Sequence, residues 1–97
     1  SADELQQIFH ILLELEEQYY ALIHEVGHAV LYTTREEPDD VVLLETLAWC
    51  EGIRIVKKLG LQINENKFRK QMIHAINLYN DRSNDDVVRI EDDYSRK

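Results

Sequence analysis

Apolar side chains recur at helical spacing along most of this chain, and the pattern begins with a long first segment. Residues 3–33 carry it, with Asp3 placed to cap the start and Glu4 suited to the first turn. The polar patch from Glu14 to Gln18 is where a break or bend would fall, so the pattern predicts one long helix or two consecutive ones. The apolar positions are Leu5, Ile8, Phe9, Leu12, Leu13, Tyr19, Tyr20, Leu22, Ile23, Val26 and Val30.

A second helix is predicted over residues 41–59, after a polar loop at 34–40 that contains Pro38. Asp39 or Asp40 can cap its start, and Gly60 is placed for a left-handed stop. Because this segment is apolar on most sides, we expect it to be the central helix.

A third helix is predicted from about Glu65 to Tyr79, with Asn64 as its N-cap. Ile63 and Phe68 have the spacing of a hydrophobic staple, and the expected buried stripe is Phe68, Met72, Ala75, Ile76 and Tyr79.

The chain from Asn80 onward is polar and charged, interrupted only by Val87, Val88 and Ile90. This stretch predicts a frayed tail or a short extended segment that adds to a neighbour. The expected fold is therefore an all-α, compact bundle of three to four helices. It forms a single helical domain over residues 1–80, and a polar C-terminal tail follows at 81–97.

The composition supports long helices and narrows the classes of partner. Three Gly and one Pro in 97 residues leave few helix breakers, and a net charge of −8 disfavours nucleic acids and anionic membranes. No apolar run approaches the roughly 20 residues that span a bilayer, and the acidic N-terminus is unlike a signal peptide.

The single cysteine, Cys50, excludes an internal disulfide framework and fits a reducing compartment. We expect a cytoplasmic protein, or one domain of a longer one, and a homodimer is left open.

One motif carries chemistry: His24-Glu25-Val26-Gly27-His28, an H-E-x-x-H sequence inside the first predicted helix. Residues four apart share a helical face, so both imidazoles can bind one metal ion. Glu25 projects about 100° away from His24, beside the metal, where it can take a proton from bound water. Gly27 has no side chain, so a neighbouring helix or a substrate can approach closely.

Zinc needs a third protein ligand, and the leading candidate is Glu45 on the second helix. A carboxylate among apolar neighbours would be costly to bury without a partner, which a ligand role would explain. Glu51, on a different face, is the alternative ligand. A solvated acid or a salt-bridge partner is the ordinary interpretation of either residue, and an accidental or decayed H-E-x-x-H motif also stays open.

Other polar and aromatic residues have simpler interpretations. Tyr20 and Tyr32 share the stripe of His24 and His28, where a phenol could donate to an oxyanion, although core packing with the hydroxyl reaching water is favoured. His10 and His74 lie off the apolar stripes and are predicted to be exposed, and Cys50 is predicted to be a small buried apolar residue.

Three stretches together carry a family resemblance: the run from His24 to Leu31, the run from Glu45 to Trp49, and Lys58-Leu59-Gly60-Leu61. They resemble the small zinc-metallopeptidase-like proteins of the ImmA/IrrE type and their shorter relatives in phages and bacterial mobile elements. The resemblance covers about residues 20–80. It implies zinc at His24 and His28, Glu25 as the base, Glu45 as the third ligand, and a peptide or protein substrate.

Two comparisons qualify that resemblance. Only 23 residues precede His24 and they predict helix, whereas proteins of that type place a small sheet there, so we expect a minimal or degenerate member. The layout of acidic helices is also similar to the all-α nucleotide pyrophosphohydrolases of the MazG type. In this chain, however, His24 and His28 stand where magnesium would need acids.

The predicted function is a zinc-dependent metallohydrolase, peptidase-like, in which Glu25 activates metal-bound water. The alternative is a non-enzymatic, acidic helical interaction or regulatory module whose H-E-x-x-H motif is accidental or degenerate.

Overall fold

The computed structural model describes residues 1–34, 37–78 and 84–96, and every regular element in these ranges is an α-helix. The helices are α1 (Ala2–Thr34), α2 (Val41–Lys58), α3 (Glu65–Asn77) and α4 (Asn84–Ser95). The expected all-α bundle of three to four helices is confirmed. Within the described ranges, none of the helices combines the length and apolar character needed to cross a bilayer.

Helix α1 is one unbroken helix of 33 residues, so the first of the two alternatives for this segment is correct. The patch from Glu14 to Gln18 continues the helix because Glu and Gln are good helix formers and no Gly or Pro interrupts them. At about 1.5 Å per residue α1 is about 50 Å long, which equals the longest dimension of the molecule, 50 Å. Its buried residues, Tyr20, Ile23, Gly27 and Leu31, all lie in the C-terminal half.

Helix α2 is the central element, as predicted, because α1, α3 and α4 all pack against it. Asp40 rather than Asp39 is its N-cap, and one Asp40 carboxylate oxygen accepts from the backbone N–H of Val42 at 3.0 Å. Beyond its C-terminus Gly60 has a φ of 72°, a left-handed conformation that glycine adopts without steric cost.

Helix α3 starts at the predicted cap, where the Asn64 side chain accepts from the backbone N–H of Lys67 at 3.1 Å. Phe68, Met72 and Ile76 are buried in the core, and Ile63 packs against the same cluster. Tyr79, the predicted end of this helix, lies outside the described residues.

Helix α4 corrects the prediction of a frayed or extended segment after Asn80. Residues 84–95 are helical, and Val87 and Ile90 are only 2% and 6% exposed. Two apolar residues three positions apart suffice for one buried helical face, but they are too few to reveal a period in the sequence. The Arg69 guanidinium pairs with the Glu91 carboxylate at 2.8 Å, which ties α4 to α3.

Candidate metal centre

The site begins with two glycines that let α1 and α2 approach backbone to backbone. A Cβ on Gly27 would collide with the carbonyl oxygen of Ala48, and a Cβ on Gly52 would collide with the carbonyl oxygen of Ile23. Neither position has room for a side chain. The expectation that Gly27 permits close approach of a neighbouring helix is therefore confirmed, and the neighbour is α2.

This approach brings a carboxylate of α2 between two imidazoles of α1. The Nε2 atom of His24 lies 2.6 Å from one Glu45 carboxylate oxygen, and Nε2 of His28 lies 3.1 Å from the same oxygen. The three potential ligand atoms all lie within 4.8 Å of one another. The three side chains that the sequence predicts as one ligand set are thus brought together.

Aromatic packing fixes the orientation of the first imidazole. The ring of His24 stacks on the indole of Trp49, with centroids 4.4 Å apart and planes 8° from parallel. Trp49 is only 2% exposed, and Phe68 packs against it edge-on at 4.9 Å. Since the indole cannot move freely, the stacked imidazole is held with its Nε2 toward Glu45.

The cluster is partly open to solvent, and this affects its protonation. The side chains of His24, His28 and Glu45 are 16%, 25% and 12% exposed. Burial lowers the pKa of His24, Glu45 opposes this by raising it, and His28 lowers it further. A lowered pKa favours the neutral imidazole, which is the form that binds metal ions.

The donor set fits zinc. Two imidazole nitrogens and one carboxylate oxygen form a common zinc set, and three protein ligands leave a fourth position for water or substrate. Bonds of about 2.0–2.2 Å in a tetrahedron separate ligand atoms by about 3.3–3.6 Å. The separations of 2.6 and 3.1 Å are those of hydrogen bonds, so the Glu45 carboxylate would have to move back from His24 for a metal ion to fit between them. Magnesium prefers six oxygen ligands and fits this set poorly.

The two other acids take different positions. Glu51, the alternative third ligand, pairs with the Arg54 guanidinium at 2.8 Å, and its charge acts on Tyr94 of α4 rather than on the histidines. Glu25 is exposed on α1, and its charge raises the pKa of the adjacent His24. The structure therefore leaves Glu25 at the edge of the cluster with access to water.

The remaining candidates from the sequence lie outside the cluster. The ring of Tyr20 is buried and meets Phe68 edge-on at 5.7 Å, whereas Tyr32 is 73% exposed. His10 and His74 are exposed, as predicted. Cys50 is buried, also as predicted, and burial raises the pKa of its thiol to about 12.

Two residues of the site were not assigned a role from the sequence, Trp49 and Gly52. Both lie on the helical face of Glu45, four and seven positions after it. That spacing was the available signal, and a second glycine inside a predicted helix was another.

Comparison of the chain with protein families, with curated proteins and with solved structures finds no match. The resemblance to proteins of the ImmA/IrrE type therefore rests on the three stretches quoted above and stays a prediction.

Proposed function

We propose that the protein is a zinc-dependent hydrolase, peptidase-like, with His24, His28 and Glu45 as the metal ligands. One observation carries the proposal: the Nε2 atoms of both motif histidines converge on a single oxygen of a carboxylate from another helix. A structural ion pair needs only one histidine, whereas two imidazoles and one carboxylate that meet at a partly solvent-accessible point are typical of metal ligands, which supports the proposal.

A zinc ion in this position would polarise a substrate carbonyl and acidify a water molecule at its free coordination position. Glu25 is the group of this chain that would move the proton. It would take a proton from the attacking water and deliver it to the leaving nitrogen, so that an amide and water become an acid and an amine. Trp49 would hold His24 in its ligating orientation throughout, because their rings are stacked.

Metal content tests the ligand set. We expect near-stoichiometric zinc in the purified protein by elemental analysis, and at least a roughly tenfold loss of affinity in His24→Ala, His28→Ala and Glu45→Gln. His10→Ala, His74→Ala and Glu51→Gln are matched controls that should keep the metal, since none of these residues belongs to the cluster. A metal-free protein whose melting temperature ignores both zinc and chelator would contradict the proposal.

Hydrolysis of labelled casein and of a mixed peptide library tests the reaction. Glu25→Gln should abolish cleavage and keep zinc, because the side chain acts on water and is not a ligand. Glu17→Gln, at another exposed glutamate of the same helix, should leave both properties intact. Equal rates for Glu25→Gln and the unaltered protein would exclude Glu25 as the base.

A second candidate function is a non-enzymatic interaction module, which the exposed apolar half of α1 favours. In that case the hydrogen bonds from the two imidazoles to Glu45 would only stabilise the contact between α1 and α2. Glu45→Gln would then lower the melting temperature equally with and without zinc, which separates the two functions.

A further inference from the structure

The N-terminal half of α1 exposes an unusual amount of apolar surface. Each of its large apolar side chains is more than half exposed, from 52% to 64%. We call this set the α1 stripe: Leu5, Ile8, Phe9, Ile11, Leu12, Leu13 and Leu15. The core of the bundle covers only the C-terminal half of the same helix.

The α1 stripe contains the spacing of a coiled-coil seam. Leu5, Ile8, Leu12 and Leu15 follow one another at intervals of three, four and three residues, the a and d positions of two heptads. The next position of this alternation, Tyr19, packs against the core and donates its hydroxyl to the Gln62 carbonyl at 3.1 Å, so the exposed seam ends at Leu15. This seam lies on a different side of α1 from His24 and His28, so a helix packed along it would leave the metal cluster accessible.

The area of the stripe matches what a dimer needs. Leu13 lies about 160° from Ile11 around the helix, so one partner helix can cover at most the other six side chains. Six side chains that each expose on the order of 100 Å² form a patch of roughly 600 Å². Two such patches facing each other would bury up to roughly 1,200 Å², the lower end of the range for specific interfaces.

The four seam positions themselves carry no charge. Asp3, Glu14 and Glu17 lie on the side of α1 opposite the seam. Glu4 and Glu16 flank the seam, and Glu16 is paired with Lys67 at 3.4 Å. A chain with a net charge of −8 repels its own copy, so association depends on burial of the uncharged apolar seam.

We propose that a second copy of this chain packs on the α1 stripe and that the two α1 helices form a two-fold symmetric, self-complementary interface. Each stripe covers the other, as such symmetry requires. The dimer does not depend on zinc, so its test is separate from that of the metal site.

Sedimentation velocity over a range of concentration measures the association. We expect a species of twice the chain mass of 11.5 kDa. The double variant Ile8→Glu/Leu12→Glu should weaken association by at least roughly 100-fold, because it buries charges at the seam. Leu78→Glu is the matched control, since Leu78 is 76% exposed and lies outside α1, and it should leave the dimer intact.

Hydrogen exchange of residues 2–18 provides a second measurement that does not depend on the variant folding. In the unaltered protein these amides should become protected as concentration rises. A monomer at about 100 µM would overturn the proposal, as would a dimer that the double variant leaves unchanged. Binding of the monomer to phosphatidylcholine vesicles through the same stripe would also overturn it, in favour of a lipid surface.

Discussion

Gly27 and Gly52 determine whether the cluster of His24, His28 and Glu45 exists at all. Each packs its backbone against a carbonyl oxygen of the facing helix, and so sets the separation of α1 and α2 at the level of the cluster. The 2.6 and 3.1 Å contacts of Glu45 depend on this separation.

Gly27→Ala should therefore destabilise the protein although alanine is the better helix former by about 1 kcal/mol. The added methyl group meets the Ala48 carbonyl, which is backbone and cannot turn aside, so we expect a net loss of about 2 kcal/mol together with weaker zinc binding. Urea denaturation and zinc titration would measure the two effects.

Gly60→Ala is the control, because open space surrounds Gly60 and the change costs only the left-handed strain of about 1 kcal/mol. It should keep zinc affinity unchanged. A Gly27→Ala protein as stable as the unaltered one would show that the two helices can separate freely.

The sequence could predict the histidines and the candidate carboxylate, but not the partners that orient them. His24 and His28 are related by spacing within one helix, which is local information. The stacking of His24 on Trp49 depends on how α1 and α2 are aligned, and that alignment results from packing between residues 25 positions apart. The sequence favours Glu45 over Glu51 by its apolar neighbours alone, and the structure adds the contacts, with Glu45 at the histidines and Glu51 at Arg54.

At the scale of elements, the ends of helices could be predicted from nearby residues, whereas a helix that is stabilised mainly by packing could not. The caps Asp40 and Asn64 and the stop at Gly60 were predictable because each acts within a few residues. Helix α4 was missed because most of its residues are polar, and its stability comes from burying Val87 and Ile90 against the bundle rather than from its own pattern.

Adjacent valines of α4 offer a matched pair. Val87→Ala removes two buried methyl groups and should cost about 2 kcal/mol of unfolding free energy, whereas Val88→Ala should change it by less than about 0.5 kcal/mol. The difference follows from exposure, 2% against 41%. Equal urea midpoints for the two variants would mean that α4 does not stay packed in solution.

The N-cap of α2 gives a second pair. Asp40→Ala should destabilise the protein by about 1 kcal/mol because the backbone N–H of Val42 loses its side-chain acceptor. Asp39→Ala, at an exposed neighbouring carboxylate, should have little effect. Thermal unfolding followed by circular dichroism would distinguish the two variants. A larger loss of stability in Asp39→Ala than in Asp40→Ala would contradict the assignment of Asp40 as the N-cap.

For the whole molecule, the central position of α2 places it between α1, which carries the two histidines of the cluster, and α4. The Cys50 thiol of α2 and the Tyr94 phenol of α4 are both on the α4 side, and burial raises the pKa of each to about 12. Burial is the largest cause of both shifts, and the neighbouring Glu51 carboxylate also contributes to each. Deprotonation of either group therefore opposes the folded state.

The sign of the resulting pH dependence follows from these shifts. Above the unperturbed pKa values of 9.0 and 10.0 the unfolded chain releases these protons while the folded chain retains them. Their contribution to stability is complete below about pH 9 and is lost as the pH rises toward about 12. Urea midpoints should fall over this interval, and Cys50→Ala with Tyr94→Phe should flatten the decline; an unchanged slope would contradict the prediction.

The stacking of Trp49 on His24 also makes the site visible to spectroscopy. Trp49 is the single tryptophan of the chain, so all indole fluorescence arises from the ring that lies against the first histidine. Whatever changes the charge or coordination of His24 should alter that emission directly. The protein thus carries its own optical reporter, and occupancy of the cluster can be followed in an unlabelled sample.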